Sequence, residues 1–308
     1  MRRVLGLALV GLFAFLLVVG LLAQFYAPGQ VKKTPLDVNT ITNLSGTGSY
    51  LGSAAGPVSA WQRTVNVASK STSDVIVMQN FTCAMKDPSG NAPQSPVCLP
   101  AGDQNLISAS EDTFAEDRVT AMAVNDAKYV GGAQPHQGLV NKFPFDVQKK
   151  TYPVWNGVLG KSVDATFAGE DTVDGLLTYK FQSTLQNVSA DIATDTPGVY
   201  SDDLTMWIDP VTGSFINQTE HQVRALPDGT VALDLTLAFT DATVKENVDA
   251  AKSNGSQLGI IGALPLVSYV LALIALVAGV LMVRGTTSAK GDRDEAEIDR
   301  LIDLRKGV

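Results

Sequence analysis

The chain has 308 residues, of which 45% are hydrophobic and 18% charged, and its formal net charge is −8. This acidity argues against nucleic-acid binding, which needs basic patches that neutralise phosphates. With only two histidines and two cysteines, the chain also offers few zinc ligands and few general bases.

The chain begins with a hydrophobic segment. Residues 4–23 carry no charge, follow Arg2 and Arg3, and precede Phe25 and Tyr26. This run is longer than the roughly 7–15 apolar residues of a signal peptide, and no A-x-A cleavage site ends it. We therefore predict an uncleaved transmembrane helix over 4–23, in preference to a signal peptide.

The region from residue 27 to residue 257 has the pattern of β-strands. Short apolar or alternating runs are separated by turn residues, and turns at 209–213 and 226–229 predict a three-stranded antiparallel meander. Because sheet edges need cover or closure, we predict a mainly β (α+β) domain with a twisted antiparallel sheet or barrel. The predicted strands are 58–67, 74–81, 104–107, 118–124, 162–167, 175–185, 204–208, 214–224 and 230–239.

The two cysteines favour a disulfide. Cys83 and Cys98 are separated by a segment rich in turn residues, and such a pair in an oxidising compartment is typical of a structural bridge. A metal site would need further ligands, yet His136 and His221 are remote in sequence. His136 lies in a glycine-rich stretch that we expect to be an exposed loop.

Helices follow the last strand. Thr240 and Asp241 can cap a helix that ends at Asn254-Gly255. Residues 258–283 then form a 26-residue run without charge, which is long enough to span a membrane. The tail contains a short amphipathic pattern that predicts a helix docked on a partner, a helix on the membrane surface or a solvated segment.

Basic residues flank both hydrophobic runs on the sides nearest the chain ends, so the positive-inside rule places both termini in the cytoplasm. The intervening region, with 15 basic and 25 acidic residues, is then outside. The predicted divisions are a cytoplasmic N-terminus 1–3, transmembrane helix 4–23, extracytoplasmic β-rich domain 27–257, transmembrane helix 258–283 and cytoplasmic tail 284–308.

One part of the sequence resembles a known family. The string LVNKFPFDVQKKTYPVW at 139–155, with 165–170 and 173–181, is similar to the actinobacterial envelope proteins grouped as the DUF3068 or "porin PorA" family. The resemblance covers nearly the whole chain, including the terminal helices. It implies an actinobacterial cell-envelope protein, linked by name to porins and also to lipoglycan assembly, but it implies no established chemistry.

The same string supplies a candidate ligand surface. Pro144 and Pro153 keep it extended and exclude a central strand. Its aromatic residues either form core beneath a loop or, with three lysines, form a surface for lipid tails or sugar faces. The candidate residues are Lys142, Phe143, Phe145, Lys149, Lys150, Tyr152 and Trp155.

No pattern in the sequence is typical of an enzyme. The G-x-S-x-G, phosphate-loop, dinucleotide and zinc motifs are absent, so we predict no catalytic residue, metal or cofactor. Neighbouring carboxylates on a strand point to opposite faces, and we expect the acidic pairs to be solvated in loops. These pairs are Glu111-Asp112, Glu116-Asp117, Glu170-Asp171 and Asp202-Asp203.

Together these features predict a two-pass protein of the cell membrane, accessory in envelope assembly, that binds or guides a lipid or lipoglycan. The main alternative is a scaffold that binds no ligand itself and supports a membrane enzyme or transporter. A porin and a hydrolase are less favoured alternatives. The expected partners are membrane lipid or lipoglycan and other envelope-assembly membrane proteins, and not nucleic acid.

Overall fold

The computed structural model describes residues 2–306, with side chains as far as Arg284. Its contacts separate two units. The β unit comprises Lys32–Gly255, and the helical unit comprises Met1–Val31 with Ser256–Val308. The amphipathic pattern of the tail, for which docking or membrane binding was predicted, lies after Arg284, the last residue whose side chain is described.

The elements follow one another in the order of a β domain between helices. The helices are α1 (Arg2–Leu21), a π-helical turn (Leu22–Tyr26), α2 (Ala27–Val31), α3 (Ala127–Val130) and α4 (Asp241–Lys306). The strands are β1 (Asn39–Tyr50), β2 (Gly56–Asn66), β3 (Val75–Lys86), β4 (Leu106–Asp117), β5 (Tyr152–Asn156), β6 (Lys161–Val173), β7 (Leu176–Ala193), β8 (Thr196–Ile208), β9 (Phe215–Ala225) and β10 (Val231–Phe239).

All ten strands form one antiparallel sheet in the order β4-β3-β2-β1-β10-β9-β8-β7-β6-β5. The first and last strands of the chain meet at its centre, where Leu44 pairs with Phe239. Within the described residues, β4 and β5 are the edges of a curled sheet, or half-barrel. The predicted mainly β fold with a twisted antiparallel sheet is therefore confirmed, as is the meander of β8, β9 and β10.

All but one of the predicted strands overlap an observed strand. The exception is 118–124, which forms a turn and isolated bridges. The Asp117 carboxylate accepts hydrogen bonds from the backbone N–H groups of Val119 and Thr120, at 3.0 and 2.7 Å. These bonds turn the chain where its alternating pattern predicted a strand.

Two strands were missed, each for a physical reason. The sequence of β1, NTITNLSGTGSY, includes two asparagines and two glycines, which are depleted in strands. A Cβ atom at Gly46 would overlap the carbonyl oxygen of Thr236 on β10, so close strand pairing explains this glycine. The short β5 contains Pro153 and lies at the edge of the sheet, where proline is tolerated.

The long connection between β4 and β5 packs on the sheet and supplies much of its core. The Phe143 ring lies 5.2 Å from that of Tyr152 and 4.7 Å from that of Phe181, measured between centroids. The backbone N–H groups of Phe143 and Val147 donate to the carbonyls of Gly213 and Pro210, at 2.9 and 2.8 Å. The connection is thus fixed to the predicted turn between β8 and β9.

Cys83 and Cys98 form the predicted disulfide. The bridge holds a loop whose Cys98 and Leu99 pack near the buried side chains of Trp61 and Met85. The Trp61 indole N–H donates to the Val97 carbonyl at 3.1 Å. The disulfide therefore ties the loop over one face of the sheet.

Replacing both Cys83 and Cys98 with alanine is expected to lower the free energy of unfolding by about 3 kcal/mol, because the unfolded chain regains the entropy of a 15-residue loop. Urea denaturation of the full chain measures this loss. Adding a reductant to the wild-type protein should produce a similar shift, whereas an unchanged midpoint in both cases would contradict a stabilising bridge.

Helix α4 begins as predicted but does not end as predicted. The backbone N–H of Thr243 lies 3.3 Å from the Thr240 hydroxyl that caps the helix, and Val248 packs against Ile216 of β9. The expected end at Asn254-Gly255 is wrong, since α4 runs on to Lys306. One glycine costs a helix only about 1 kcal/mol, and the apolar run that follows favours continuation.

Two helical spans are long and apolar enough to cross a membrane, Arg2–Val31 and Asp241–Arg284. Their contacts are antiparallel. Gly6 lies beside Gly279 and Val283, while at the other end the Tyr269 hydroxyl donates to the Gln24 side-chain oxygen at 2.7 Å. Small residues thus allow two helices to approach closely, as is usual in membranes.

Replacing Gly6 with valine is expected to disrupt this helix pair. A Cβ atom there would lie 2.8 Å from Val283 Cγ2 and 3.0 Å from the Gly279 carbonyl oxygen, whereas a Cβ at Gly11 would have nothing within 4 Å. Gly11→Val is therefore the matched control on the same helix. The melting temperature in nanodiscs should fall for Gly6→Val only, and equal values would contradict the observed packing.

Candidate functional site

A cavity of about 830 Å³ opens on the inner face of the curled sheet. Side chains of β2, β3 and β4 form one part of its wall, and side chains of β7, β8 and β9 form another. The rest of the lining comes from β5, from the connection before it and from the turns that follow β5 and β7. Most of these residues carry hydrogen-bonding groups, so the cavity is a polar site within a β domain.

A row of polar side chains on β8 and β9 is the most concentrated part of this wall. The strand register pairs Tyr200 with Arg224 and Asp202 with Gln222. Glu220 is then a diagonal neighbour of Asp202 on the same face, within reach of its side chain. Alternation along the strands places all five side chains in the cavity lining.

Burial changes the protonation of this row. It raises the pKa of Asp202 to about 6. Burial also raises the pKa of Glu220 to about 7, with a further contribution from the charge of Asp202, while Arg224 acts in the opposite direction. Burial likewise raises the pKa of Tyr200 above its usual range. Both acids therefore exchange protons near neutral pH and can donate or accept hydrogen bonds.

Asp202 has the least satisfied environment in the row. It is only 2% exposed, and although a hydrogen bond with the Tyr200 side chain lowers its pKa, its Oδ1 atom has no hydrogen-bond partner among the described residues. Arg224 is held away from it by bonds from Nε to Gln222 Oε1 at 3.0 Å and from Nη1 to the Ile192 carbonyl at 3.1 Å. A buried acceptor without a partner costs about 1–3 kcal/mol.

A second cluster of side chains at the cavity consists of His136, Asp112 and Trp155. The His136 Nε2 atom is 2.7 Å from Asp112 Oδ2, and the imidazole lies 4.5 Å from the Trp155 ring. Asp112 and Trp155 line the cavity. The expectation that His136 is exposed was wrong, because Asn125 bonds to both its backbone N–H and carbonyl and holds it inside.

Lys142 lines the cavity and interacts electrostatically with the buried Glu116. Burial lowers the pKa of Lys142 to about 8 and raises that of Glu116 to about 8, and the opposite charge of each residue opposes the other's shift. Glu116 has no exposed surface, and its carboxylate makes no side-chain hydrogen bond among the described residues, although the Asn141 backbone opposes the rise of its pKa. The Lys142 ammonium lies 3.7 Å from the Phe145 ring centroid.

The predicted ligand surface is divided by the structure. Lys142 and Trp155 line the cavity, as does the edge of Phe143, which is otherwise core. Lys149 and Lys150 are exposed outside the lining. Of the remaining residues, Tyr152 is buried in the core, Phe145 lies beneath Lys142, and Lys149 pairs with Glu170 at 2.7 Å.

The acidic pairs lie on strands, so their predicted location in loops was wrong. Glu111-Asp112 and Glu116-Asp117 belong to β4, Glu170-Asp171 to β6 and Asp202-Asp203 to β8. The prediction of opposite faces holds for Asp202-Asp203, because Asp202 is buried and Asp203 exposed, whereas Glu111 and Asp112 both line the cavity. The sequence signal that could have revealed the cavity wall was the alternation of polar residues along β8 and β9.

Among the described residues, no group of three His, Cys, Asp or Glu side chains is arranged to hold a metal ion.

Comparison with known proteins gives two matches. The family described as Porin PorA matches residues 5–281. A protein named Porin PorA from Corynebacterium amycolatum is 33% identical over 95 residues, which cover 27% of this chain and 25% of that relative. The match therefore spans about a quarter of the curated relative's length.

Proposed function

Because this chain belongs to the porin PorA family, we propose that it is a two-pass protein of the cell envelope whose β unit binds the polar part of a membrane lipid or lipoglycan. The observation that carries this proposal is the cavity of about 830 Å³ with its buried, incompletely paired polar wall. Sites for small ligands are commonly of this size.

Three observations support the proposed topology. The two candidate spans contact each other in antiparallel fashion, which is compatible with both termini on one side of the membrane. Arginines flank these spans near the chain ends, and this side is cytoplasmic by the positive-inside rule. The disulfide between Cys83 and Cys98 favours an oxidising, extracytoplasmic compartment for the β unit.

The cavity supports a binding role rather than a purely structural one. A fold gains nothing from leaving the Asp202 Oδ1 atom buried and unpaired. A ligand with hydrogen-bond donors would supply the missing partner. A domain with a membrane anchor at each end also stays close to the lipids and to other envelope-assembly proteins, so an accessory role in lipid transfer suits it better than free catalysis.

The family description favours a second candidate, a pore. A transmembrane β-barrel must be closed, while the described sheet leaves β4 and β5 as edges. Isolated bridges of Glu116 with Ala123, Met122 with Leu139 and Leu139 with Val154 link these two strands, but they do not make the continuous strand pairing of a closed barrel. Ion conductance across planar bilayers, changed by Glu220→Gln in the cavity wall, would favour the pore over lipid binding.

The test of lipid binding uses the full chain, purified from its native membrane under oxidising conditions. Ser110 lines the cavity from the edge strand, and the preceding residue, Ala109, lies outside the lining. Ser110→Trp should obstruct one side of the cavity, and Ala109→Trp is its matched control. Native mass spectrometry should find a stoichiometric lipid or lipoglycan on the wild type and the control but not on Ser110→Trp. An equal load on all three would contradict the proposal.

A further inference from the structure

We infer that the group bound in this cavity is an uncharged, hydroxyl-rich one, a sugar chain, hydrogen-bonded by Asp202 and Glu220 and stacked on Trp155. This inference rests on the proposed function and adds the chemical class of the ligand. It assigns to the β8–β9 row the role that the sequence had suggested for the lysines of the 142–155 string.

The charge of the lining disfavours an anionic ligand. Sites for phosphate or carboxylate groups use clusters of arginine and lysine. Here acids outnumber bases, and Lys149 and Lys150 lie outside the cavity. Among the described residues of the lining, the acids are Glu111, Asp112, Asp191, Asp202 and Glu220, and the bases are Lys142 and Arg224.

The state of the two central acids also disfavours a cation. Arg224 stands on the same wall and already supplies a positive charge to both Asp202 and Glu220. Burial shifts both acids toward their neutral forms, which bind a cation poorly. A carboxyl group that is present in both forms can donate and accept, as can each hydroxyl of a sugar.

The unpaired oxygen of Asp202 gives an independent indication of a ligand. Asp202 is 2% exposed and lines the cavity, and its Oδ1 atom has no partner among the described residues. A ligand hydroxyl would satisfy this acceptor without bringing a charge into the site. The neutral side chains nearby, Gln218 and Gln222, add donors and acceptors of the same kind.

Trp155 supplies an apolar surface within this polar cavity. It is partly exposed, and its ring contacts the His136 imidazole, which is itself bonded to Asp112. The indole is therefore held in place from one side. A fixed aromatic ring packs well against the C–H face of a pyranose, which is also apolar on one side and polar at its rim.

The experiment uses the full chain in phosphatidylcholine nanodiscs at pH 7. The probes are neutral trisaccharides of glucose, mannose, galactose and arabinose, measured by saturation-transfer NMR and calorimetry. A separate probe is phosphatidylglycerol vesicles. At least one sugar should bind, and Asp202→Ala, Glu220→Ala and Trp155→Leu should each weaken it about tenfold, the effect of losing one buried hydrogen bond or ring contact. Asp203→Ala, at an exposed position of β8 outside the lining, should bind like the wild type.

Each outcome separates this inference from the proposed function. If phosphatidylglycerol binds and no sugar does, the sugar assignment is overturned while binding of a polar lipid stands. If neither probe binds, both fail. If a sugar binds equally to the wild type and to all three cavity variants, its site lies elsewhere and the inference is overturned. Melting temperatures of the variants, each expected to lie well above the assay temperature, exclude unfolding as the cause of a loss.

Discussion

Replacing Gly213 with alanine is expected to destabilise the β unit by more than about 3 kcal/mol, enough to prevent folding in many proteins. Gly213 has a φ angle of +75°, and a Cβ atom there would overlap the carbonyl oxygen of Phe143 and lie within 2.5 Å of that of Pro144. Those carbonyls belong to the connection that fills the core, so neither can move without breaking its packing.

Gly229→Ala separates the steric clash from backbone strain. Gly229 also has a positive φ angle, +88°, but a Cβ atom added there would have nothing within 4 Å. Its replacement should cost only about 1 kcal/mol. Urea denaturation of the full chain, followed by tryptophan fluorescence, measures both. Similar losses for the two variants would show that the 143–147 segment does not pack on the turn as described.

Acidification from pH 8 to pH 5 is expected to stabilise the β unit by at least about 3 kcal/mol. Burial raises the pKa of Asp202 to about 6, of Glu220 to about 7 and of Glu116 to about 8. Raised pKa values give stability that is complete below the unfolded values near 4 and is lost as pH rises through the folded values. The lowered pKa of Lys142 acts mainly above pH 8.

Thermal unfolding of the full chain in nanodiscs at pH 5 and pH 8 measures this dependence. Glu116→Gln should remove much of it by raising the melting temperature at pH 8. Asp249→Asn is the control, because Lys245 lowers the pKa of Asp249, which is therefore ionised at both pH values. A melting temperature that is equal at pH 5 and pH 8 in the wild type would contradict the buried state of these acids.

Local sequence patterns were sufficient to predict the elements that are stabilised by residues close together in the chain. The turn of Asp209–Gly213 is stabilised by its own residues, with Asp209 accepting from the Thr212 backbone at 3.0 Å. This turn brings β8 and β9 into antiparallel pairing and so begins the meander. The disulfide and the two hydrophobic spans were likewise predictable, because turn composition and uninterrupted apolar length do not depend on distant contacts.

The features that sequence reasoning missed depend on distant contacts. Strand β1 has a weak propensity of its own and is fixed by pairing with β10, almost two hundred residues away. The cavity wall was not predicted because polar residues at alternate strand positions usually face solvent. In a curled sheet the inner face can instead enclose a polar site, so Asp202 and Glu220 point inward.

The most direct measurement of the central claim places a photoreactive phenylalanine analogue at Ser110, which lines the cavity, and separately at Ala109 as the control. Both proteins are irradiated in native membranes and purified, and their adducts are identified by mass spectrometry. We expect a lipid or lipoglycan adduct at position 110 and not at position 109. Equal labelling at both positions, or none at position 110, would contradict a ligand-binding cavity.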